Sequence, residues 1–497
     1  MPRLPRLADL VFDARTLAQS LASSFGGPTV RLGVTGLSRA GKTVFIVALI
    51  QHLTAAARGA AAGQRNPLPV FRVHAEGRLT GAALEPQPDD AVPRFPYEAH
   101  LAALLGPEGE AALRTWPQST RRVSELRLRL DFERATGLRR GPASLTLDIV
   151  DYPGEWLLDL PLLDKSYAQW SRETLDASAT AARAPLAASW RAFTLALDPA
   201  APADEETAGK AAALFTDYLR ACRADTHALS TLPPGRFLMP GDAEGSPALT
   251  FAPLEVAETA APRSLAALME RRYEAYKTHI VRPFFRDHFA RLDRQIVLVD
   301  ALAALNAGPA AVRDLETALG EVLHAFRAGR NTLLSQMFRP RIDRILFAAT
   351  KADHLHHTSH DRLEAILRHL VARAIARAEG FGAAIDVIAL AAVRATREAK
   401  VGRAGALEAV VGTPLKGETI DGELFDGVAE AAIYPGELPQ DAKLVFRGDW
   451  TPDTEAAYRF VRFRPPTPAH DATGRALPLP HIRLDRALQF VLGDRLA

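Results

Sequence analysis

At 497 residues the chain exceeds a single ordinary core of roughly 100 to 200 residues, so a domain with large insertions, or two to three domains, is expected. Its 60 Lys and Arg offset 58 Asp and Glu, which removes the global positive field of a bulk nucleic-acid binder. The single cysteine, Cys222, excludes an intramolecular disulfide and a thiolate metal cluster, and fits a reducing cytosol.

The first residues lack the apolar core of a signal peptide, because Asp9, Asp13 and Arg15 interrupt the run. Leu7, Leu10, Val11, Leu17 and Leu21 suit one face of an amphipathic helix that packs on the domain, with a membrane surface as the alternative. No stretch supplies the ~20 apolar residues of a spanning helix.

The run VRLGVTGLSRAGKTVFIVALIQHL follows: alternating apolar residues, then G-x-x-x-x-G-K-T, then an apolar helical stretch. Strand, phosphate loop and helix are predicted. Gly36, Ser38, Arg39, Ala40, Gly41, Lys42, Thr43 and Val44 would surround nucleotide phosphates, with backbone N–H groups and the positive helix end converging on the oxygens. Lys42 would reach the β- and γ-phosphates, and the Thr43 hydroxyl would ligate Mg2+.

Downstream, RRVSELRLRLDFERATGLRRGPASLTLDIVD reads as two strands joined by a basic hairpin. Thr120 precedes the first strand and is a candidate magnesium ligand, with Ser119 as its competitor and a plain polar turn as the alternative to both. The second strand ends in Asp151, Tyr152, Pro153 and Gly154, a D-x-x-G turn in which Asp151 would hold Mg2+ and the Gly154 N–H would sense the γ-phosphate. From Trp156 to Asp293 runs an Ala, Leu and Arg-rich stretch with helical spacing. It includes LPPGRFLMPGDAEGSPAL, read as a long loop. This stretch either transmits phosphate status or merely caps the fold.

RQIVLVDALAAL gives a buried strand ending at Asp300, then a helix from about Ala311 to Met337. RILFAATKADHL is another strand, ending in Thr350, Lys351, Ala352 and Asp353, a T-K-x-D pattern. A carboxylate there accepts both the ring N–H and the exocyclic amine of guanine, a donor pair that adenine lacks. His354, His356, His357 and His360 read as a polar loop beside the base edge and not a metal site, since no carboxylate or thiolate is arranged for closed coordination. A basic helix is predicted over Asp361 to Ala378, then a last strand in IDVIALAAVRAT, after which Ala392 and Val393 would offer N–H groups to the guanine carbonyl. From Thr413 onward, glycine-punctuated alternation predicts a β-rich appendage, closed by the amphipathic helix LDRALQFVLGDRL.

The three motifs, in this order, define an expected α/β P-loop NTPase with a mostly parallel six-stranded Ras-like sheet flanked by helices, a large helical insertion and a small β-rich C-terminal appendage. Segments 1–58, 59–155 and 293–404 would build the nucleotide domain, 156–292 the inserted helical domain and 405–497 the appendage. Glu155 stands where a Ras-like GTPase commonly has the glutamine that orients water. A carboxylate near the γ-phosphate is repelled, so Lys42, Thr120 and Glu155 form a catalytic set expected to be slow. Arg39, Arg121 and Arg122 are candidate compensating charges, each equally readable as surface charge.

These segments, with DYPGEWLLDLPLL, RQIVLVDALAALNAG, FRPP and LPHIRLDRALQFVLGDRL, make the chain resemble the YcjX-like family of bacterial stress-associated P-loop proteins over nearly its whole length. The resemblance implies an atypical Ras-like GTPase using GTP or GDP with Mg2+, expression linked to stress, and an inner-membrane protein as partner. A cytoplasmic location follows, with peripheral attachment to the inner membrane as the alternative. Two competing readings stay open: a nucleotide-bound scaffold without catalysis, and an ATP-binding P-loop protein.

Overall fold

The computed structural model describes residues 28–36, 39–58, 67–107, 114–135, 140–256, 261–325, 342–378, 383–402, 407–420, 422–446 and 458–497. The amphipathic stripe of residues 7–21, Ser38 and the part of the expected helix beyond Ala325 lie outside them.

In chain order, β1 (Thr29–Gly36) leads into α1 (Lys42–Ala56), followed by β2 (Leu79–Glu85) and α2 (Tyr97–Leu105). β3 (Ser124–Arg134) and β4 (Gly141–Asp151) are the predicted antiparallel strands. A 3-10 helix, Gly154–Asp164, opens a helical stretch of α3 (Tyr167–Ser178), α4 (Ala184–Leu195), α5 (Glu205–Arg223) and α6 (Leu265–Tyr276). The chain then returns through β5 (Arg294–Val299), α7 (Ala301–Ala307), α8 (Pro309–Ala325), β6 (Arg344–Ala349), α9 (His360–Ala378) and β7 (Ala384–Ala389). The C-terminal region holds β8 (Arg397–Val401), β9 (Leu407–Gly412), the two-residue strands β10 (Thr419–Ile420) and β11 (Glu423–Leu424), β12 (Ala431–Ile433) and α10 (Leu484–Leu492).

The central sheet has seven strands in the order β2-β3-β4-β1-β5-β6-β7, one more than the six expected. The added edge strand, LTGAALE, buries only Leu79 and shifts register at Gly81, so it carries none of the large apolar alternation that announces a strand. Its glycine fits close packing: a Cβ at Gly81 would stand 2.9 Å from the Asp131 carboxylate. β4, β1, β5, β6 and β7 run parallel to one another, which directs their C-terminal ends to one edge.

Because side chains alternate across a strand, the sheet separates two cores. Ile296, Leu298, Leu346 and Ala348 face α1 and α10. Val297, Val299, Phe347 and Ala349 face α8, α9 and the helical stretch after β4. α10 packs back as its stripe predicted, burying Leu484, Ala487, Leu488, Val491 and Leu492.

Two local expectations change. The connector read as a long loop contains a helical turn, Gly235–Leu238, with Gly235, Arg236 and Phe237 buried. Its first half follows a packed path through Phe237, whereas Asp242, Glu244, Gly245 and Pro247 further on are exposed. The small C-terminal sheet, ordered β12-β9-β8, starts at Arg397, upstream of Thr413. β8 (REAKV) is too charged to stand out as a strand, and its partner β9 supplies the buried Val410.

Candidate functional site

Parallel strands that end together leave a crevice at their C-terminal edge, the usual place for ligands in open α/β sheets. β1 delivers Gly36 there, where an added Cβ would stand 3.0 Å from both Ala40 Cβ and Leu298 Cβ. Arg39 (φ 60°) and Gly41 (φ 79°) take left-handed conformations that turn the chain back into α1. Among the described residues no side chain caps α1 and no acid occupies its first turn, so its leading N–H groups present the positive end of the helix. Ala40 is buried and Val44 half-buried beside it.

Four predicted side chains meet at this loop. Lys42 Nζ pairs with Asp151 Oδ1 and donates to Thr120 Oγ1 at 2.6 Å. Thr120 Oγ1 donates to Asp151 Oδ2 at 2.6 Å and lies 3.3 Å from Thr43 Oγ1. Ser119, next in sequence, is exposed. Burial pushes the Lys42 ammonium below its ordinary range, and the Asp151 carboxylate opposes that shift. Three oxygen-bearing groups around one lysine are hard donors of the kind Mg2+ takes, so the residues present fit a phosphate-bound magnesium.

The next residues turn away from the loop. Glu155, buried in the first turn of the 3-10 helix, is ion-paired with Arg223 Nη2 at 2.7 Å, at the end of α5. Two residues further on, Asp225 pairs with Arg39 of the glycine loop. The helical stretch thus reaches back over the site, and it does so with a residue the sequence did not flag: Arg121 and Arg122 are exposed, whereas Arg223 stands against Glu155. An arginine ending an amphipathic helix carries no local signal of such a contact.

The connector locks onto this segment. Gly235 approaches so closely that a Cβ would stand 1.9 Å from the Glu155 carbonyl oxygen. Its N–H donates to Asp159 Oδ1 at 2.7 Å, and Tyr276 Oη donates to Asp159 Oδ2 at 2.7 Å. The Arg236 guanidinium lies 3.1 Å from the Trp156 ring centroid, and Trp156 Nε1 donates to Met239 O at 2.9 Å. Burial lifts the Asp159 carboxyl to about 7.

Across the sheet edge, Lys351 turns the chain with φ 61°, and its Nζ bonds Asp300 Oδ2 at 2.5 Å. Thr350 is buried at the end of β6, its N–H donating to Val299 O at 2.9 Å. Asp353 is buried, its Oδ2 accepting from Ala395 N at 2.8 Å and its carbonyl from Thr396 Oγ1 at 2.5 Å. Ala392 and Val393 are buried in the same loop after β7, which is anchored by Ala391 N to Ile482 O at 3.1 Å. Asp300 was read only as a strand end, yet it fixes the lysine of the T-K-x-D pattern.

The fold and these residues together define a mixed α/β protein with a mostly parallel sheet and a lysine, hydroxyl and carboxylate cluster at its strand ends. The chain belongs to the YcjX-like family, DUF463, whose sequence pattern matches residues 30–496. It is 39% identical over 482 residues to a protein of Escherichia coli K12 named "Ras-like GTPase YcjX", spanning 94% of this chain and 96% of the relative. A Shewanella oneidensis MR-1 protein of the same name is 35% identical over 493 residues, spanning 96% and 97%. Among the described residues no helix is long and apolar enough to cross a membrane.

Proposed function

We propose that this chain is a P-loop GTPase that binds GTP and GDP with Mg2+, hydrolyses GTP slowly and acts as a nucleotide-dependent switch in bacterial stress. The observation that carries the reading is the convergence of Lys42, Thr43, Thr120 and Asp151 on one hydrogen-bonded cluster beside the Gly36–Gly41 turn. The names of the two relatives support it.

Mg2+ would neutralise charge on the β- and γ-phosphates. In this reading the backbone N–H groups of Ser38, Arg39, Ala40, Gly41 and Val44 cradle the phosphates, and Lys42 exchanges Asp151 and Thr120 for phosphate oxygens. Thr43, Thr120 and Asp151 hold the metal side, with Asp151 acting through water, and Ser119 remains the competitor of Thr120. Asp353 selects guanine, Lys351 and Thr350 shape the base loop, and Ala392 and Val393 offer N–H groups to the base carbonyl. The Gly154 N–H senses the γ-phosphate, and the 3-10 helix behind it carries that state into the segment 156–292, the proposed inserted domain. The protein works in the cytoplasm or peripherally at the inner membrane, where a membrane protein is the proposed partner.

A specific observation favours a second reading, a nucleotide-bound scaffold: the Arg223 pair holds the Glu155 carboxylate. Single-turnover hydrolysis of GTP with Mg2+ separates the two. Phosphate release that disappears in Lys42→Ala supports the enzyme, and bound GTP that survives intact for hours supports the scaffold.

A further inference from the structure

The histidines of the run DHLHHTSH show no closed coordination set in sequence, but the folded chain brings one carboxylate from β8 and another from β9 to them. In that antiparallel pair Glu398 stands opposite Val410 and Lys400 opposite Glu408, so Glu398 and Glu408 lie diagonally on one face. The loop after the T-K-x-D pattern packs on that face. His357 Nδ1 lies 2.8 Å from Glu398 Oε2, and His356 Nε2 lies 3.9 Å from the same oxygen. The two imidazole centroids are 4.3 Å apart. One ligand atom from each of His356, His357 and Glu398 falls within 4.8 Å of the others.

The acceptors around His356 favour the tautomer with its proton on Nδ1. Its Nδ1 lies 3.3 Å from Glu408 Oε2 and 3.1 Å from Thr358 Oγ1, and the Thr358 hydroxyl itself donates to Glu408. An imidazole N–H given to a carboxylate is the outer-shell arrangement that orients metal-binding histidines. It leaves the lone pair on Nε2, facing a carboxylate oxygen that also carries lone pairs. Arg394 Nη2 satisfies the other oxygen, Glu398 Oε1, at 3.2 Å and leaves Oε2 to the histidines. His356 Nε2 and Glu398 Oε2, 3.9 Å apart, form an acceptor pair that a cation between them would satisfy, with His357 Nδ1 2.8 Å from the same oxygen.

We propose that His356, His357 and Glu398 bind a divalent transition-metal ion, zinc foremost, with Glu408 and Thr358 as the outer shell. Two imidazoles and one carboxylate suit zinc, whereas Mg2+ and Ca2+ take oxygen sets. Bonds of ~2.0 to 2.2 Å in a tetrahedron put ligand atoms about 3.3 to 3.6 Å apart, within the spread of the 2.8 and 3.9 Å separations seen here. His357 is 62% exposed, so a fourth position stays open to water. The ion ties the loop that carries Asp353 to β8, alongside the Ala395 and Thr396 bonds already joining them.

The test uses tag-free full-length protein, stripped with a chelator and titrated calorimetrically with zinc chloride in excess Mg2+. The expected result is one zinc per chain, with His357→Ala and Glu398→Gln each weakening affinity by about 100-fold or more. Glu408→Ala, which removes the outer-shell acceptor, weakens it roughly 10- to 100-fold. All three positions are partly or fully exposed, so unchanged circular dichroism checks that the variants fold. Absence of saturable zinc binding, or variants that bind as the parent does, overturns the proposal.

Discussion

Arg223→Ala removes the charge paired with Glu155 at 2.7 Å and leaves a carboxylate whose side chain is 9% exposed beside the proposed γ-phosphate position. With charge centres roughly 4 Å apart, the gross attraction is about 4 kcal/mol at an effective dielectric constant near 20. Desolvation of both groups takes back a large part, and the net coupling of contacting charges is about 0.5 to 3 kcal/mol. In the proposed transition state the uncompensated carboxylate repels phosphate charge, so Arg223→Ala should slow single-turnover GTP hydrolysis by about 10- to 100-fold, at ~1.4 kcal/mol per factor of ten. Affinity for GDP should stay within a few-fold. Glu155→Gln removes the charge that needs compensating, so adding Arg223→Ala to that background should cost only a few-fold more. The assay is rapid-quench phosphate release from the four proteins of the cycle. Equal effects of Arg223→Ala in both backgrounds would refute the pairing argument, because independent sites add.

Lys42→Ala should lower GTP affinity by at least roughly 100-fold with an unchanged circular dichroism spectrum, since it deletes the cation nearest the loop, about 3 kcal/mol or more for a charged hydrogen-bonding group; fluorescent-nucleotide titration measures it. Thr43→Ala should abolish most of the magnesium dependence of that affinity, and equal dependence in both proteins would remove Thr43 from the metal. Asp159, lifted to about 7 by burial, keeps its proton through the mildly acidic range in the folded state. Its stabilising contribution, on the order of 4 kcal/mol, is whole below the unfolded carboxyl pKa near 4 and is lost as pH rises through about 7. The melting temperature should therefore fall from pH 5 to 8 more steeply than in Asp159→Asn, and parallel profiles would contradict this. Hydrogen exchange should differ between GDP and non-hydrolysable GTP complexes across Trp156 to Trp190 and near Thr120, and identical exchange would deny a switch.

The strands that build the site were legible because each combines an apolar run with a motif at its C-terminal end, as in β1 with Gly36, β4 with Asp151 and β6 with Thr350. What periodicity missed is what depends on long-range packing. β2 hides in small residues, and β8 and β9 are joined by pairing and not by strong hydrophobic alternation. Arg223, Asp225 and Gly235 lie far from Glu155 and Arg39 in sequence and meet them only because the helical stretch folds back. The histidine loop illustrates the same limit, since its carboxylates arrive from another sheet.

If the crevice takes a guanine nucleotide, Asp353, in the turn that follows β6, is the residue that selects it. Equilibrium titration of the purified chain with fluorescent GDP, GTP and ATP in Mg2+ tests that selection most directly. Both guanine nucleotides should bind at least about 10-fold more tightly than ATP, a difference of ~1.4 kcal/mol, and Asp353→Ala should erase the difference. ATP binding equal to or tighter than GTP in the parent protein would contradict it.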